Sequence, residues 1–394
     1  MSTESNLEAI CERDLRHWRL LEDFRACLDQ VFATADLPRS FSDPRRLLSA
    51  SNYLSLFLFG LFNPVVRTMR GLCQASRLSR VQSEVCDRRV SLGSFSETQH
   101  LLDPALLEQV FAQLSQSLPQ DRKDARLGQW QWLARDGSLF RALPRMHWAL
   151  YGAGKKGAPN KAVRLHLSLN VVEDKPKVAA VRPGKECERA VWRQQWQQGQ
   201  AYVGDRYFAE DYKVFGQLEA RECAYVLRVR EPAAINVEEE LPITAADQQV
   251  GVLRQAWARL GCRKRNRSAR VRLVWVRTAE GNTVILATNL SAEQLAAELV
   301  WLLYCKRWQI ELFFRWIKCI LGCQHWLAES RVGATLQMYL ALIAALLLQL
   351  YSGHKPSKRL MELLQFHQLG YATMGELKAA LEREKKRLEA RQKS

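Results

Sequence analysis

Asp136, Asp205 and Glu311 are the residues of this 394-residue chain whose types and placement could do chemistry. Asp136 follows the strand-like run Trp130–Arg135 (WQWLAR) and leads into a turn at Asp136-Gly137, and Asp205 follows Ala201–Gly204 (AYVG). Strands lying side by side project their end residues into one crevice. Glu311 belongs to Trp301–Lys318 (WLLYCKRWQIELFFRWIK). On an α-helix at about 100° per residue, Tyr304, Arg307, Glu311 and Lys318 fall within roughly a 60° arc, with Arg315 beside them. Most other positions are apolar, Trp308 and Leu312 among them, which predicts a largely buried helix with one narrow polar stripe. Two aspartates and a glutamate from a covering helix would make an all-oxygen donor set of the kind Mg²⁺ prefers. Two such cations about 4 Å apart can activate an attacking oxygen and stabilise the leaving oxygen of a phosphodiester. Plainer readings exist for each residue. An Asp at a turn is commonly a cap, and Tyr304, Arg307, Glu311 and Lys318 could form a structural ion network.

The elements that must position these residues read as follows. Up to about residue 125 the pattern is helical, through Leu15–Phe32, Leu47–Phe62 and a helix opened by an S-x-x-E box at Ser94 and Glu97. Arg67, Arg70, Arg77, Arg80, Arg88 and Arg89 in this part suit either DNA phosphates or a solvated helical face. From Trp130 the character changes to strands, at 130–135, 162–172 and 177–181, with a Gly- and Lys-rich turn at Tyr151–Lys161 that lacks nucleotide-loop spacing. A helix at 186–198, a strand at 201–204, a helix through 220 and a strand at 224–229 complete the order. That order predicts a mixed sheet covered by helices. Residues 231–290 read as an inserted β-rich module, with an acidic run, a basic stretch from Arg254 to Arg272, and strands at Val271–Arg277 and Thr283–Thr288. Helices resume at Ser291 and continue into a charged tail.

Charge and cysteine usage set outer bounds. The 58 Lys+Arg against 41 Asp+Glu leave +17, a surplus that attracts polyanions, nucleic acid first among them. Ten cysteines without a C-x-x-C pair read as reduced thiols in a cytosolic protein. Cys319, Cys323 and His325 group most tightly but lack an evident fourth ligand for zinc, and they read as small hydrophobes. No signal pattern opens the chain, and the apolar runs Tyr53–Phe62 and Met338–Tyr351 are shorter than the ~20 residues of a membrane span.

The acids are 205−136 = 69 and 311−205 = 106 residues apart, and the longer gap holds the β-rich module. The pattern Y-x-x-R-x-x-x-E-x-x-x-x-x-x-K, filled by Tyr304, Arg307, Glu311 and Lys318, resembles the signature of insertion-sequence-4-type DDE transposases, with DGS at 136–138 and GDRYF at 204–208 resembling the two aspartate motifs. The likeness covers about residues 130–320. It implies an α/β fold with a ribonuclease-H-like mixed-sheet catalytic core and a β-rich insertion, flanked by an N-terminal helical domain and C-terminal helices. Residues 1–125 would then bind DNA ends, 126–230 and 291–350 would form the core around the insertion at 231–290, and 351–394 would be a helical tail. The resemblance makes Asp136, Asp205 and Glu311 the triad for Mg²⁺ or Mn²⁺, two ions per site. Tyr304, Arg307 and Lys318 would handle the DNA end. It further implies double-stranded terminal repeats and target DNA as partners, a dimer on DNA, and action on the nucleoid in the cytoplasm. A nuclease or resolvase without joining activity, or a silent DNA-binding repressor, are the alternatives. Some relatives stack a flipped base on a tryptophan in the last strand of the insertion. Here Asn282–Leu290 has none, and Trp275 on the preceding strand is the substitute.

Overall fold

In the computed structural model of the chain, the described residues are 19–34, 48–66, 68–118, 125–127, 130–153, 159–262, 267–321, 326–354 and 357–393. Two compact units result, and the chain crosses between them more than once. One is helical, comprising residues 1–119, 141–148 and 315–394, and the other contains the sheet, comprising 120–140 and 149–314.

Among the described residues of the helical unit, six N-terminal helices, α1 (Arg19–Thr34), α2 (Ala50–Phe62), α3 (Met69–Ala75), α4 (Ser79–Glu84), α5 (Leu92–Leu101) and α6 (Pro104–Ser117), begin mostly at polar caps. Helix α5 starts earlier than the S-x-x-E box predicts. The Ser91 hydroxyl accepts from Ser94 N at 3.1 Å, so Ser91 takes the cap and Ser94 becomes helical.

The sheet unit holds α7 (Glu188–Gln194), α8 (Lys213–Glu219), α9 (Ala245–Gln249), α10 (Ala297–Lys306) and the first half of α11 (Trp308–Leu321). Three further helices follow in the helical unit: α12 (Arg331–Ser352), α13 (Lys358–Gln368) and α14 (Met374–Lys393). Helix α12 packs on α1, α2, α5 and α6, so it joins the N-terminal helices instead of the core in which the sequence reading placed residues 291–350. The apolar stretch is also longer than that reading had it. Arg331–Leu350 is long and apolar enough to cross a membrane, and 89% of the window is buried inside the protein. Burial all round explains an apolar pattern with no polar face. The side chains of Cys319, Cys323 and His325 lie outside the described residues.

Among the described residues, ten strands form one sheet, in the order β2-β3-β1-β5-β6-β10-β9-β8-β7, with β4 paired to β3. The strands are β1 (Trp132–Arg141), β2 (Leu150–Ala153), β3 (Pro159–Asn170), β4 (Lys175–Pro183), β5 (Ala201–Gly204), β6 (Ala224–Arg228), β7 (Ile235–Leu241), β8 (Val252–Leu260), β9 (Val271–Arg277) and β10 (Thr283–Thr288). Val171 N, just past β3, donates to Trp132 O at 3.0 Å, and Arg135 Nε donates to the Ser168 hydroxyl at 2.6 Å, so β3 descends as β1 rises and the two are antiparallel. The steps β1–β5 and β5–β6 are parallel, and β6–β10, β10–β9, β9–β8 and β8–β7 are antiparallel. The inserted segment therefore continues the sheet. Its Ala258, Leu273 and Ala287 share one core with Trp192, Tyr202, Phe215 and Tyr225.

Strands β7 and β8 escape a reading by hydrophobic alternation because their charges are spent on each other. Arg254 and Arg259 on β8 bond Glu240 and Glu238 on β7, and Arg270, just before β9, bonds Glu238 and Glu239. Arg254 Nε reaches Glu240 at 3.0 Å and Arg259 Nε reaches Glu238 at 2.8 Å. Arg272 is fully buried and donates to Gln255 at 3.0 Å. Among the described residues of the stretch, Arg254, Arg259 and Arg270 are thus paired with carboxylates of β7 and Arg272 is buried, while residues 263–266 lie outside the described residues.

Candidate active site

Register brings the two aspartates to one level. Strand pairing ends with Ala134↔Val203, and Asp136 and Asp205 each lie two residues further on. Asp205 stands directly after β5, as expected, with its Oδ1 accepting from Tyr207 N at 2.9 Å. Asp136 does not close a strand. Strand β1 continues to Arg141, because β3 still flanks it after β5 has ended. The carboxylate thus projects from a mid-strand position whose neighbour has run out, a rigid place for a functional group.

Burial is the main influence on Asp136. It pushes the carboxyl up to about 6, opposed by the Gly137 N–H and the Arg307 charge, and reinforced by Glu188 and Asp205. The folded protein therefore holds this proton more tightly than the unfolded chain. Metal-free stability should fall as pH rises from about 4 to about 6, by at most about 3 kcal/mol. Asp136→Asn removes that cost. In EDTA the variant is expected to melt roughly 3–8 °C above wild type at pH 7.5, with the gap closing near pH 4. Equal melting temperatures at pH 7.5 would show that Asp136 carries no such burden.

The segment Trp301–Lys318 is two helices instead of one. Helix α10 ends at Lys306 and α11 begins at Trp308, with Arg307 at the junction. Arg307 N is shared between Leu303 O and Tyr304 O, both at 3.2 Å, and Ile310 N takes Arg307 O at 3.1 Å. This tightened turn keeps the stripe together. The Arg307 guanidinium lies 5.7 Å from the Tyr304 ring centre and bonds Glu311 at 2.7 Å. Its Nε is buried without a partner. Arg307 thus joins Tyr304, Glu311 and, through its charge, Asp136. Lys318 lies two turns beyond Glu311, where α11 has passed into the helical unit. The helix is also less buried than the stripe predicts, since Trp308 and Leu312 are exposed.

One acid escaped the sequence reading. Glu188, the first residue of α7, acts on Asp136, and Asp205 acts on it. It bonds Arg164 of β3 at 2.6 Å, both side chains being 15% exposed. Burial raises its carboxyl, Arg164 lowers it and Asp205 raises it further. Sequence offered only a glutamate at a helix start, which usually serves the helix dipole.

The donor chemistry fits a hard divalent cation, since Asp136, Asp205, Glu188 and Glu311 supply only carboxylate oxygen. In this arrangement each glutamate is held by its own arginine. Among the described residues no three His, Cys, Asp or Glu side chains converge as a ligand group. Trp275, the substitute for a base-stacking residue, is half-buried on β9, with the Arg254 guanidinium 4.8 Å from its ring centre.

A mixed α/β sheet with Asp136 and Asp205 level beyond the end of the parallel β1–β5 pairing, and Glu188 beside them, defines an acidic centre, to which Glu311 is linked through Arg307. The chain belongs to the transposase DDE domain family, which matches residues 132–347, more than half of its length. It is 25% identical over 239 residues to "Putative transposase y4zB" of Sinorhizobium fredii, covering 59% of this chain and 66% of that protein. It is 24% identical over 205 residues to "Probable transposase for insertion sequence element IS5377" of Geobacillus stearothermophilus, covering 52% of each. The chain thus spans less than two thirds of the length of either relative. A piggyBac transposase synaptic complex with hairpin DNA resembles it with a TM-score of 0.40 and 11% identity, over 94% of this chain and 80% of that one.

Proposed function

We propose that this protein is a DNA transposase that cuts the ends of a mobile element and joins the freed 3′-hydroxyl to target DNA. The observation that carries this reading is the level pairing of Asp136 with Asp205 beyond parallel strands, in a chain of the DDE family. The core would be ribonuclease-H-like and of the insertion-sequence-4 type. The antiparallel strands β1 to β4 followed by the parallel β5 and β6, with α7 before β5 and α8 before β6, support that reading.

Asp136, Asp205 and Glu311 would hold Mg²⁺ or Mn²⁺, one or two ions. When bound, the metal supplies Lewis acidity to the attacking and leaving oxygens of the phosphodiester. The chain's own residues position the rest. Arg307, with an unused Nε–H, would turn from Glu311 to a phosphate oxygen and so free Glu311 for the centre. Tyr304 would hold the guanidinium over its ring, and Lys318 would hold a phosphate further along the DNA. Exposed Arg70, Arg77 and Arg89 in the helical unit suit backbone contacts near the element's end. Two ends must meet, so a dimer on DNA is expected, working on the chromosome in the cytoplasm.

The test is a duplex carrying the inverted repeats that flank the coding frame, incubated with Mg²⁺ and a target plasmid. A nick exposing a 3′-hydroxyl and a joined product are expected. Cleavage without joining would leave a nuclease or resolvase, and binding without cleavage a repressor.

A further inference from the structure

We propose that Glu188 is a fourth carboxylate of the acidic centre, held in waiting by Arg164, and that it engages the divalent cation together with Asp136 and Asp205. The inference rests on the reading of those aspartates as metal-holding residues.

Topology puts Glu188 at the right end of the sheet. Strand β4 is antiparallel to β3, which is antiparallel to β1, so β4 ends on the side where Asp136 and Asp205 stand. Helix α7 opens there with Glu188 and leads back to the start of β5, so its first residue lies at the active end.

Gly137 supplies an independent observation. A Cβ at this position would meet Glu188 Oε1 at 2.0 Å. The Glu188 carboxylate therefore lies directly against the backbone beside Asp136, in space that a side chain at position 137 would contest. Asp136 and Gly137 of one motif thus serve the same centre, one by its carboxylate and the other by having no side chain.

The manner in which Glu188 is held is also informative. Glu188 bonds Arg164 at 2.6 Å as Glu311 bonds Arg307 at 2.7 Å. Each arginine keeps its Nε buried without a partner. A guanidinium fixed as a structural staple normally uses its fork on both carboxylate oxygens and fills its remaining donors. Glu188 thus stands beside the two aspartates and Glu311 is linked to Asp136 through Arg307, each glutamate being bonded to one guanidinium. Four carboxylates carry four negative charges, the number two divalent cations match once both arginines let go.

A purely structural reading makes Arg164–Glu188 a bridge that seats α7. The two readings differ in sign. If Arg164 competes with the cation for Glu188, removing the two partners has opposite consequences for metal binding. If the pair only seats the helix, both losses act in the same direction.

The experiment is a Mn²⁺ titration of the full chain without DNA, followed by the paramagnetic resonance signal of free Mn²⁺, with melting temperature in EDTA as the fold control. Glu188→Gln is expected to weaken Mn²⁺ binding about 10–100-fold, Glu188→Asp to weaken it less, and Arg164→Gln to tighten it several-fold. Unchanged binding in Glu188→Gln overturns the proposal. So does weakened binding in both Glu188→Gln and Arg164→Gln that tracks their melting temperatures. An Arg164→Gln variant that binds no tighter overturns the latch. Asp136→Asn and Asp205→Asn run in parallel separate this from the underlying reading. If they bind Mn²⁺ like wild type, the metal centre itself is misplaced. If they lose binding while Glu188→Gln keeps it, only the fourth ligand falls.

Discussion

Asp136→Asn, Asp205→Asn and Glu311→Gln are each expected to lower divalent-dependent strand cleavage by roughly 10²–10³-fold or more, with duplex affinity within a few-fold of wild type. Each substitution keeps the shape of the side chain and removes one negative charge and one hard oxygen donor. The aspartates sit on or directly after strands whose register holds them level, so a neutral amide cannot be compensated by movement of the backbone. Glu311 is the most discriminating of the three because it is bonded to Arg307. If that bond persists in the working complex, Glu311→Gln cleaves at a near wild-type rate and leaves the triad. Gel-based cleavage of an end-bearing duplex in Mg²⁺, beside filter binding in EDTA, distinguishes these outcomes.

Arg307→Ala should have the next largest effect, and its cause can be separated from misfolding. The variant strips Glu311 of its bonded partner and Asp136 of a nearby positive charge. Glu311 is 31% exposed at its side chain, so solvent softens the penalty to about 1–2 kcal/mol. A few degrees of melting temperature are expected to go. Cleavage should fall much further, by about 100-fold, because the guanidinium is also the group proposed to take a scissile-strand phosphate. Arg307→Lys should recover part of the cleavage, since it restores the charge without the planar fork. Normal activity per folded molecule in Arg307→Ala would reduce Tyr304, Arg307 and Glu311 to an ion network that only supports the α10–α11 junction.

Local chemistry was legible in the sequence wherever a few adjacent residues decide it. The run AYVG followed by Asp205 is a strand and its end, and Val271–Arg277 and Thr283–Thr288 are the strands their apolar β-branched residues indicate. Tyr304, Arg307 and Glu311 share a face because helical spacing places them there, and they keep it despite the break at Arg307. The resemblance to DDE transposases is met by membership of the transposase DDE domain family. What depends on partners distant in sequence was decided only in three dimensions. Strand β1 runs past Asp136 because β3 supports it, a pairing between residues more than 30 apart. Strands β7 and β8 hid behind charge, since an acidic run and a basic run cancel only when laid side by side. Residues 291–350 read as the second part of the catalytic core by their place in the chain, and only the tertiary structure shows the apolar surface of α12 covered by N-terminal helices more than 200 residues away. Glu188 is the sharpest instance. Nothing about ECERAV distinguishes it from an ordinary helix start, and only the folding of β1, β3 and α7 sets its carboxylate against Gly137, beside Asp136. Backbone propensity is a property of neighbours in sequence, whereas an electrostatic site is a property of neighbours in space.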